Sequence, residues 1–417
     1  MEQQLPYATE DIPAVPGTIK ARYEDFKVDE IPAYEPRGSG DHVYFRIEKS
    51  GLSTPRAVRD IARALGVRPG SIGVAGMKDA RGVTTQMLSV EHVDPSSVQA
   101  LHIPRINVLE VGRHRNKLKM GHLRGNRFTI KMRDTEPERL VDVLSILDVL
   151  ASRGVPNYFG SQRFGSRGDT WKIGRALLMG NFDVAAEVIA GRAGPDDTGD
   201  VLRARELFDA GQFAESARVW PRGYGECASL CRAMDRFGLD KKRAVLSLDR
   251  RTLKLYVSAC QSWLFNTILA KRIDGFDVVE NGDVAWKHDS GAVFLVESES
   301  DDLPRAMNFE ISPTGPLYGP KMKQTQGRIL KLEQGVLEKA GLTMEHFSQS
   351  GPLKCPGGRR SFRFRPEGSA AQTGEDEHGQ YVEIEFVLPS GCYATAVLCE
   401  ICKERLIQVE RISTSSS

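Results

Sequence analysis

Long hydrophobic runs are missing from this chain of 417 residues. Its most apolar helical stretch, 140–150, is broken by Asp142, Ser145 and Asp148, and it falls far short of the ~20 apolar residues that a membrane span needs. The opening Met-Glu-Gln-Gln-Leu-Pro-Tyr is polar and acidic, where a secretory signal has a basic start and an apolar stretch. Cysteines are few and odd in number, seven scattered along the whole length, which argues against a disulfide framework and for a reducing compartment. Net charge is nearly absent as well: 57 Lys and Arg offset 55 Asp and Glu, leaving +2. Bulk electrostatics would therefore not draw the chain to nucleic acid, and any RNA site has to come from local clustering. No P-loop, dinucleotide-binding glycine fingerprint or zincin helix motif occurs, so nucleotide-driven and hydride chemistry lose support. The expectation is a soluble, cytoplasmic protein with no membrane segment.

What is present suits two or three domains at the usual ~150 residues each. Val43, Phe45 and Ile47 alternate with Tyr44, Arg46 and Glu48 as a half-buried strand. Thr54 and Pro55 open a helix carried by Val58, Ile61, Ala62 and Leu65 and stopped by Gly66. An apolar run over 72–75 leads into Gly76; after a polar turn over 80–82, Val83, Thr84 and Thr85 begin an extended segment ending near Val90. The loop between these two segments presents Lys78 and Asp79. A further strand over 127–132 alternates Phe128, Ile130 and Met132 with Arg127, Thr129 and Lys131. Thr135 and Glu138 then make a capping-box pattern for a helix of Leu140, Val143, Leu144 and Leu147. This rhythm predicts α+β layers.

From about 156 to 364 longer helical stretches take over, such as 235–271, with polar links such as 191–200, and read as a separate, mainly helical insert. Residues 365–379, rich in Gly, Glu, Gln and Asp, read as a mobile loop. Val382, Ile384, Phe386 and Leu388 then alternate as a strand, a Pro-Ser-Gly turn precedes a helix with Val397, Leu398 and Ile401, and the serine-rich end reads as disordered.

Three segments carry chemistry. In Gly76-Met77-Lys78-Asp79 a glycine frees the backbone, and an exposed carboxylate sits beside a cation on a loop between strands. Such a carboxylate serves as nucleophile or base, although any turn also uses Asp and Gly. Residues 112–133 hold Arg113, Arg115, Lys117, Lys119, Arg124, Arg127 and Lys131, with no acid before the end of the run. With His114 or His122 they would contact phosphates and give salt-sensitive RNA binding, against the plainer reading of a solvated strand face. In Asn157-Tyr158-Phe159-Gly160-Ser161-Gln162-Arg163-Phe164-Gly165, rings and guanidinium groups suit unstacked bases, and a packed aromatic turn fits equally well. Cys399 and Cys402 form a C-x-x-C inside an expected helix, with no second pair and no upstream His-x-Glu, so no metal site is expected.

Six motifs in order carry a resemblance to a known family: residues 20–30 around Asp25-Phe26-Lys27-Val28-Asp29-Glu30, AGMKDARGVTTQ at 75–86, GNRFTI at 125–130, NYFGSQRFG at 157–165, QSWLFN at 261–266 and FVLPSGCYATAVLCE at 386–400. The chain closely resembles the TruD family of tRNA pseudouridine synthases, through nearly its whole length. The resemblance implies an α+β pseudouridine synthase fold, a mixed and mostly antiparallel sheet with flanking helices, interrupted by a mainly helical α+β TRUD insert forming the opposite wall of an RNA cleft. The expected catalytic domain is residues 1–155 with 368–417, and the insert is 156–367.

By motif position the resemblance makes Asp79 the catalytic aspartate, with Lys20 as the cation beside it and Lys78 as its neighbour in the motif. Phe26 becomes a base contact, Asn126 and Phe128 lie beside the target nucleotide, and Tyr393 supplies an aromatic where phenylalanine is also familiar. Each of the three rings also has a plain core reading, clearest for Phe128. Arg163 joins the basic residues as an RNA contact. The implied partner is tRNA, the implied target is uridine 13 in the D arm, and the protein is expected to work as a monomer without cofactor or metal. The middle region's length suggests an archaeal or eukaryotic style of member. The rivals are an RNA-binding protein that keeps the scaffold without activity, and another base-modifying enzyme, which would need a cofactor site or zinc ligands.

Overall fold

The computed structural model describes residues 5–408 apart from 239. The chain divides into two compact units, one of Pro156–Arg363 with Leu5 and Pro6, the other of Tyr7–Val155 resuming at Phe364. The serine-rich end lies outside the described residues.

The discontinuous unit opens with β1 (Gly17–Ile19), β2 (Phe26–Pro32) and β3 (His42–Ser50). It continues through α1 (Thr54–Ala64), β4 (Gly73–Val74), β5 (Val83–Glu91), α2 (Pro95–Gln99), β6 (Ile106–His114), β7 (Leu123–Met132) and α3 (Leu140–Arg153). The chain leaves at β8 (Val155–Pro156).

The inserted unit then lays down α4 (Thr170–Leu178), α5 (Phe182–Ala190), α6 (Gly199–Asp209), α7 (Phe213–Val219), α8 (Gly225–Phe237), α9 (Lys241–Leu246) and α10 (Arg250–Lys271). After them come β9 (Val284–Lys287), β10 (Val293–Leu295), α11 (Glu299–Met307), β11 (Ile311–Leu317), α12 (Gly327–Lys339) and β12 (Gly358–Ser361). The four strands form an antiparallel sheet in the order β10-β9-β11-β12, so the insert is α+β rather than helical alone. The expected long helical stretch over 235–271 is three helices, because Asp240 and Asp249 each turn a carboxylate back onto backbone N–H groups and start a new one.

The return at β13 (Arg363–Phe364) leads into β14 (Glu367–Asp376), β15 (Gly379–Pro389), α13 (Ala394–Cys402) and β16 (Leu406–Gln408). The main sheet has eight strands, ordered β14-β15-β7-β2-β5-β3-β6 with β4 beside β5. Every pairing in it is antiparallel except β2 with β5. Two apolar cores back the two halves. Phe26, Val28, Phe128, Ile130, Ile384 and Phe386 pack with α3 and α13, and Val43, Phe45, Ile47, Leu88 and Val90 pack with α1.

The parallel join decides where the chemistry goes. Parallel strands start side by side, so the segments entering them emerge at the same end of the sheet. Lys27 faces Val83 at the start of both strands, so the chain before β2 and the chain before β5 meet there. The antiparallel β3 ends at the same place, Ser50 opposite Val83, and so does β7, with Ile130 opposite Phe26. This head of the sheet gathers residues that lie far apart in sequence.

Several expectations change. Residues 365–379 are a hairpin of β14 and β15, paired in register from Ala370 with Glu385 to Asp376 with Gly379, not a mobile loop. An edge strand is held by main-chain bonds and needs no apolar side chains, and Asp376 pins the tip by accepting from Lys131 at 2.8 Å and from Arg133 at 2.9 and 3.0 Å. The capping box at Thr135 does not form. Pro137 opens a short 3-10 turn capped at Glu136, and α3 follows from Leu140, leaving Thr135 Oγ1 buried without a partner. Tyr44, expected on an open face, is buried among Ala75, Met87 and Leu118.

Candidate active site

Asp79 lies in the loop between β4 and β5 at the head of the sheet, its side chain 40% exposed, while that of its partner Lys20 is almost entirely covered. Lys20 follows β1 with φ 58°, a left-handed conformation that costs a non-glycine residue about 1–3 kcal/mol and persists only where the surroundings enforce it. Its Nζ donates to Asp79 Oδ2 and lies 4.3 Å from the centre of the Phe26 ring. The Arg81 backbone N–H donates to Asp79 Oδ1 at 3.0 Å. Burial pushes the Asp79 carboxyl up, but the Lys20 ammonium and the backbone N–H groups of Arg81 and Ala80 outweigh it and hold the group below the ordinary 3.8. It is a carboxylate at neutral pH, partly shielded from water, with each oxygen accepting a hydrogen bond.

Lys78 is next in sequence but differently placed. Its Nζ pairs with the Glu30 carboxylate at 2.6 Å, with both side chains covered, and its backbone N–H donates to Thr54 Oγ1 at 2.8 Å. Glu30 also accepts the Met87 N–H at 3.0 Å. Glu30 had no role in the sequence reading, yet it continues the buried alternation of Phe26 and Val28 along β2, and a carboxylate on an apolar register is itself a signal.

Phe26 and Phe128 meet edge to face with centres 6.2 Å apart, and Phe128 lies 5.5 Å from Phe386. At 3% and 7% exposed they belong to the core behind the head, which leaves only ring margins for a ligand. Asn126 precedes Phe128 by two residues on the same side of β7, and its Oδ1 is buried without a partner. An acceptor left so costs about 1–3 kcal/mol and is open to a donor that arrives later. Tyr393, at the N-cap of α13, is 51% exposed. Lys20, Asp79, Phe26 and Phe128 thus form one connected group, with Asn126 on the same strand as Phe128. Lys78 is committed to Glu30.

The basic run splits. Arg113, Arg115, Lys119, Arg124 and Arg127 are exposed and Lys117 is half-buried. Arg113 donates to the Gly40 carbonyl at 3.2 Å and Lys117 to that of Gly70 at 2.7 Å, while Arg127 pairs with Glu385 at 3.0 Å. His114 does not face phosphates. It is buried against Tyr34 and Tyr44, with ring centres 5.0 and 4.8 Å away, and His122 Nδ1 bonds the Tyr34 hydroxyl at 2.7 Å.

In the inserted unit, Arg163 sits over the Phe159 ring at 5.4 Å. Phe159 itself packs edge-on to Phe265 and is clamped by Asn266, which accepts its N–H and donates to its carbonyl, both at 2.9 Å. The aromatic turn is packed, with Arg163 half-buried on it. The thiols of Cys399 and Cys402 are pushed up by burial to about 11 and about 12, and among the described residues no group of three or more His, Cys, Asp or Glu is placed to hold a metal.

The family model for tRNA pseudouridine synthase D (TruD) matches residues 3–401. The chain belongs to the TruD family. It is 42% identical to the tRNA pseudouridine synthase D of Geobacter sulfurreducens over 96% of this chain and 98% of that one. With the protein of the same name from Geobacter metallireducens it shares 43% identity over 97% and 99%. A crystal structure of a candidate tRNA pseudouridine synthase D (TruD) from Methanosarcina mazei superposes with a TM-score of 0.83 at 29% identity, covering 95% of this chain and 96% of that one. The TruD fold is therefore the fold of this chain, a mixed and mostly antiparallel sheet with flanking helices. Bacterial relatives match along almost their entire length, so the long middle region is no mark of an archaeal or eukaryotic style. No helix among the described residues is long and apolar enough to cross a membrane.

Proposed function

We propose that this TruD family member isomerises uridine to pseudouridine in tRNA, at uridine 13 of the D arm, with Asp79 as the catalytic carboxylate. The observation that carries the reading is a partly exposed Asp79 held ionised by the almost covered Lys20 at the head of the sheet. An isomerisation balances in atoms and electrons by itself, so the chemistry calls for no cosubstrate. The bond from ribose to the ring nitrogen breaks, the base turns, and a new bond forms through carbon 5. Asp79 drives this either by covalent attack or by taking a ribose proton to leave a glycal, and one partly exposed carboxylate serves both routes.

The uridine has to leave its stack first, at a cost of a few kcal/mol. Tyr393 offers an open ring to the extruded base, Phe26 and Phe128 offer their margins, and Asn126 Oδ1 offers an acceptor to a base N–H. In this reading the unit of Tyr7–Val155 and the residues from 364 onward is the catalytic domain, and Pro156–Arg363 is the TRUD insert. Arg113, Arg115, Lys119, Arg124, Arg127 and Arg163 take phosphates. The protein acts as a monomer in the cytoplasm, where its seven cysteines, none of them in a disulfide, stay reduced.

The test is position-mapped pseudouridine in an unmodified tRNA transcript, with the native protein and with Asp79→Asn. Product at position 13 from the first and none from a folded, tRNA-binding second is the expected result. Tight binding without product from either would favour an RNA-binding protein on the same scaffold, and product elsewhere in the tRNA would reassign the target.

A further inference from the structure

Lys49 is a lysine with no exposed surface at the end of β3. It continues the series Val43, Phe45, Ile47 on the buried register of that strand, where a methionine or leucine would fill the space without the cost of removing a charge from water. Both of its hydrogen bonds go to backbone carbonyls, that of Leu52 and that of Asp79 at 2.9 Å. Two further bonds tie the same turn to the same loop. Gly51 N–H donates to the Gly82 carbonyl at 3.1 Å, and Lys78 N–H donates to Thr54 Oγ1 at 2.8 Å. Gly51 needs its left-handed φ of 61°, and a Cβ there would meet Arg105 and Tyr23. Arg105 in turn donates to the Ser50 and Gly51 carbonyls, both at 2.9 Å. The turn is thus braced from one side and grips the Asp79 loop on the other.

We infer that Lys49 is a positioning residue for the isomerisation, fixing the Asp79 backbone from within the sheet so that Lys20 and the Arg81 N–H can set the direction of the carboxylate. The inference rests on the reading of Asp79 as the catalytic group. It accounts for a cation placed on a buried register that an apolar side chain would otherwise occupy. The charged groups facing Lys49 are Asp79 and Lys78 from the loop; Lys20 lies beyond the first and Glu30 beyond the second. Burial pushes the Lys49 ammonium down to about 8, against the opposing pull of Asp79 and with the help of Lys78. Between that value and the ordinary 10.5 the unfolded chain holds a proton that the folded one does not, so stability rises with pH across this window, and below it the burden of the buried charge is fully present.

The experiment compares native protein, Lys49→Met, Lys49→Gln and Asp79→Asn in single-turnover pseudouridine formation, tRNA affinity and thermal melting. The expected result is a Lys49→Met rate lower by about 10- to 100-fold, the scale of a small misplacement of a reacting group. Lys49→Gln, whose shorter side chain keeps an uncharged amide N–H2 donor group, should fall in between, with tRNA affinity unchanged in both. Equal rates in the Lys49 variants and the native protein overturn the inference. So does a rate loss matched by lost tRNA binding and lower melting, which would mark an ordinary structural lysine. Should Lys49→Met fail to fold, a folded Lys49→Gln variant with the native rate and affinity overturns it as well. If Asp79→Asn is inactive while Lys49→Met is not impaired, only this inference falls; if Asp79→Asn keeps full activity, the catalytic reading falls first.

Discussion

The head of the main sheet and the basic run over 112–127 both concentrate positive charge, and they use it in opposite ways. At the head, Lys20, Lys49 and Lys78 are all buried, and each is tied to a carboxylate or a carbonyl. Along the basic run, Arg115, Lys119 and Arg124 are exposed and carry no ion pair among the described residues. Buried charge is expensive and barely screened, so it repays its cost only by fixing geometry. Exposed charge is readily hydrated, mobile and screened, which suits phosphates that arrive at varying places. One region should therefore govern rate and the other affinity.

The largest effect that would test this division is at Lys20. Replacing it with methionine removes the cation that, with the backbone N–H groups of Arg81 and Ala80, offsets burial at Asp79, so the carboxyl should rise. The acid limb of the rate profile then moves to higher pH, and the rate at neutral pH falls by about 100-fold or more, as for loss of a group that organises a reacting charge. Affinity for tRNA should change little. A rate profile with an unmoved acid limb would show that Lys20 does not set the state of Asp79.

A second break comes from Gly82, where a Cβ would stand 2.3 Å from the Phe26 carbonyl. Gly82→Ala forces β2 and β5 apart where they start in parallel, displacing Phe26 and the ring under Lys20. Overpacking of this kind costs about 1–3 kcal/mol, visible as a lower melting midpoint, and the rate should drop further than stability alone explains. If rate and stability instead fall in proportion, the head is less sensitive to geometry than its hydrogen bonds suggest.

The basic run offers the converse test. Reversing Arg115, Lys119 and Arg124 to glutamate should weaken tRNA binding by about 10-fold or more and flatten the dependence of log affinity on log salt by ~0.9 for each duplex phosphate that the protein no longer neutralises. The rate at saturating tRNA should be kept. Arg113 and Lys117 are poorer choices, since each donates to a carbonyl of its own fold. An unchanged salt slope would remove this run from the RNA site.

How much of this could be read from the sequence follows from what each residue contributes to a pattern. Strands β3 and β7 and helix α1 showed themselves because their apolar residues repeat with the right period, and β5 through its β-branched start. The Asp79 loop showed itself through glycine and charge. The β14 strand did not, because Gly, Ser, Ala, Gln and Thr on an edge carry no hydrophobic period, and its pairing is a main-chain property settled by partners elsewhere in the chain. Lys20 reaches Asp79 only because β2 and β5 run parallel, a long-range fact that local pattern does not encode. Lys49 and Glu30 were legible in principle, since each is a charged residue on the buried register of an otherwise clear strand. Periodicity counts them as noise, and it is as exceptions to the period that they carry information.

The smallest effect concerns the border between the two regions, where Arg127 of β7, opposite Val387, pairs diagonally with Glu385 of β15 at 3.0 Å, with side chains 54% and 43% exposed. An exposed pair like this contributes about 0–1 kcal/mol, so Glu385→Gln should shift melting only slightly. Arg127, released from its partner, then behaves like Arg115 and becomes available to a phosphate. Affinity for tRNA should rise modestly at low salt, with a slightly steeper salt slope, and the single-turnover rate should stay as it was. A change in rate without a change in affinity would place Arg127 with the geometry-fixing charges of the head, and the line between the two regions would have to be redrawn one strand further out.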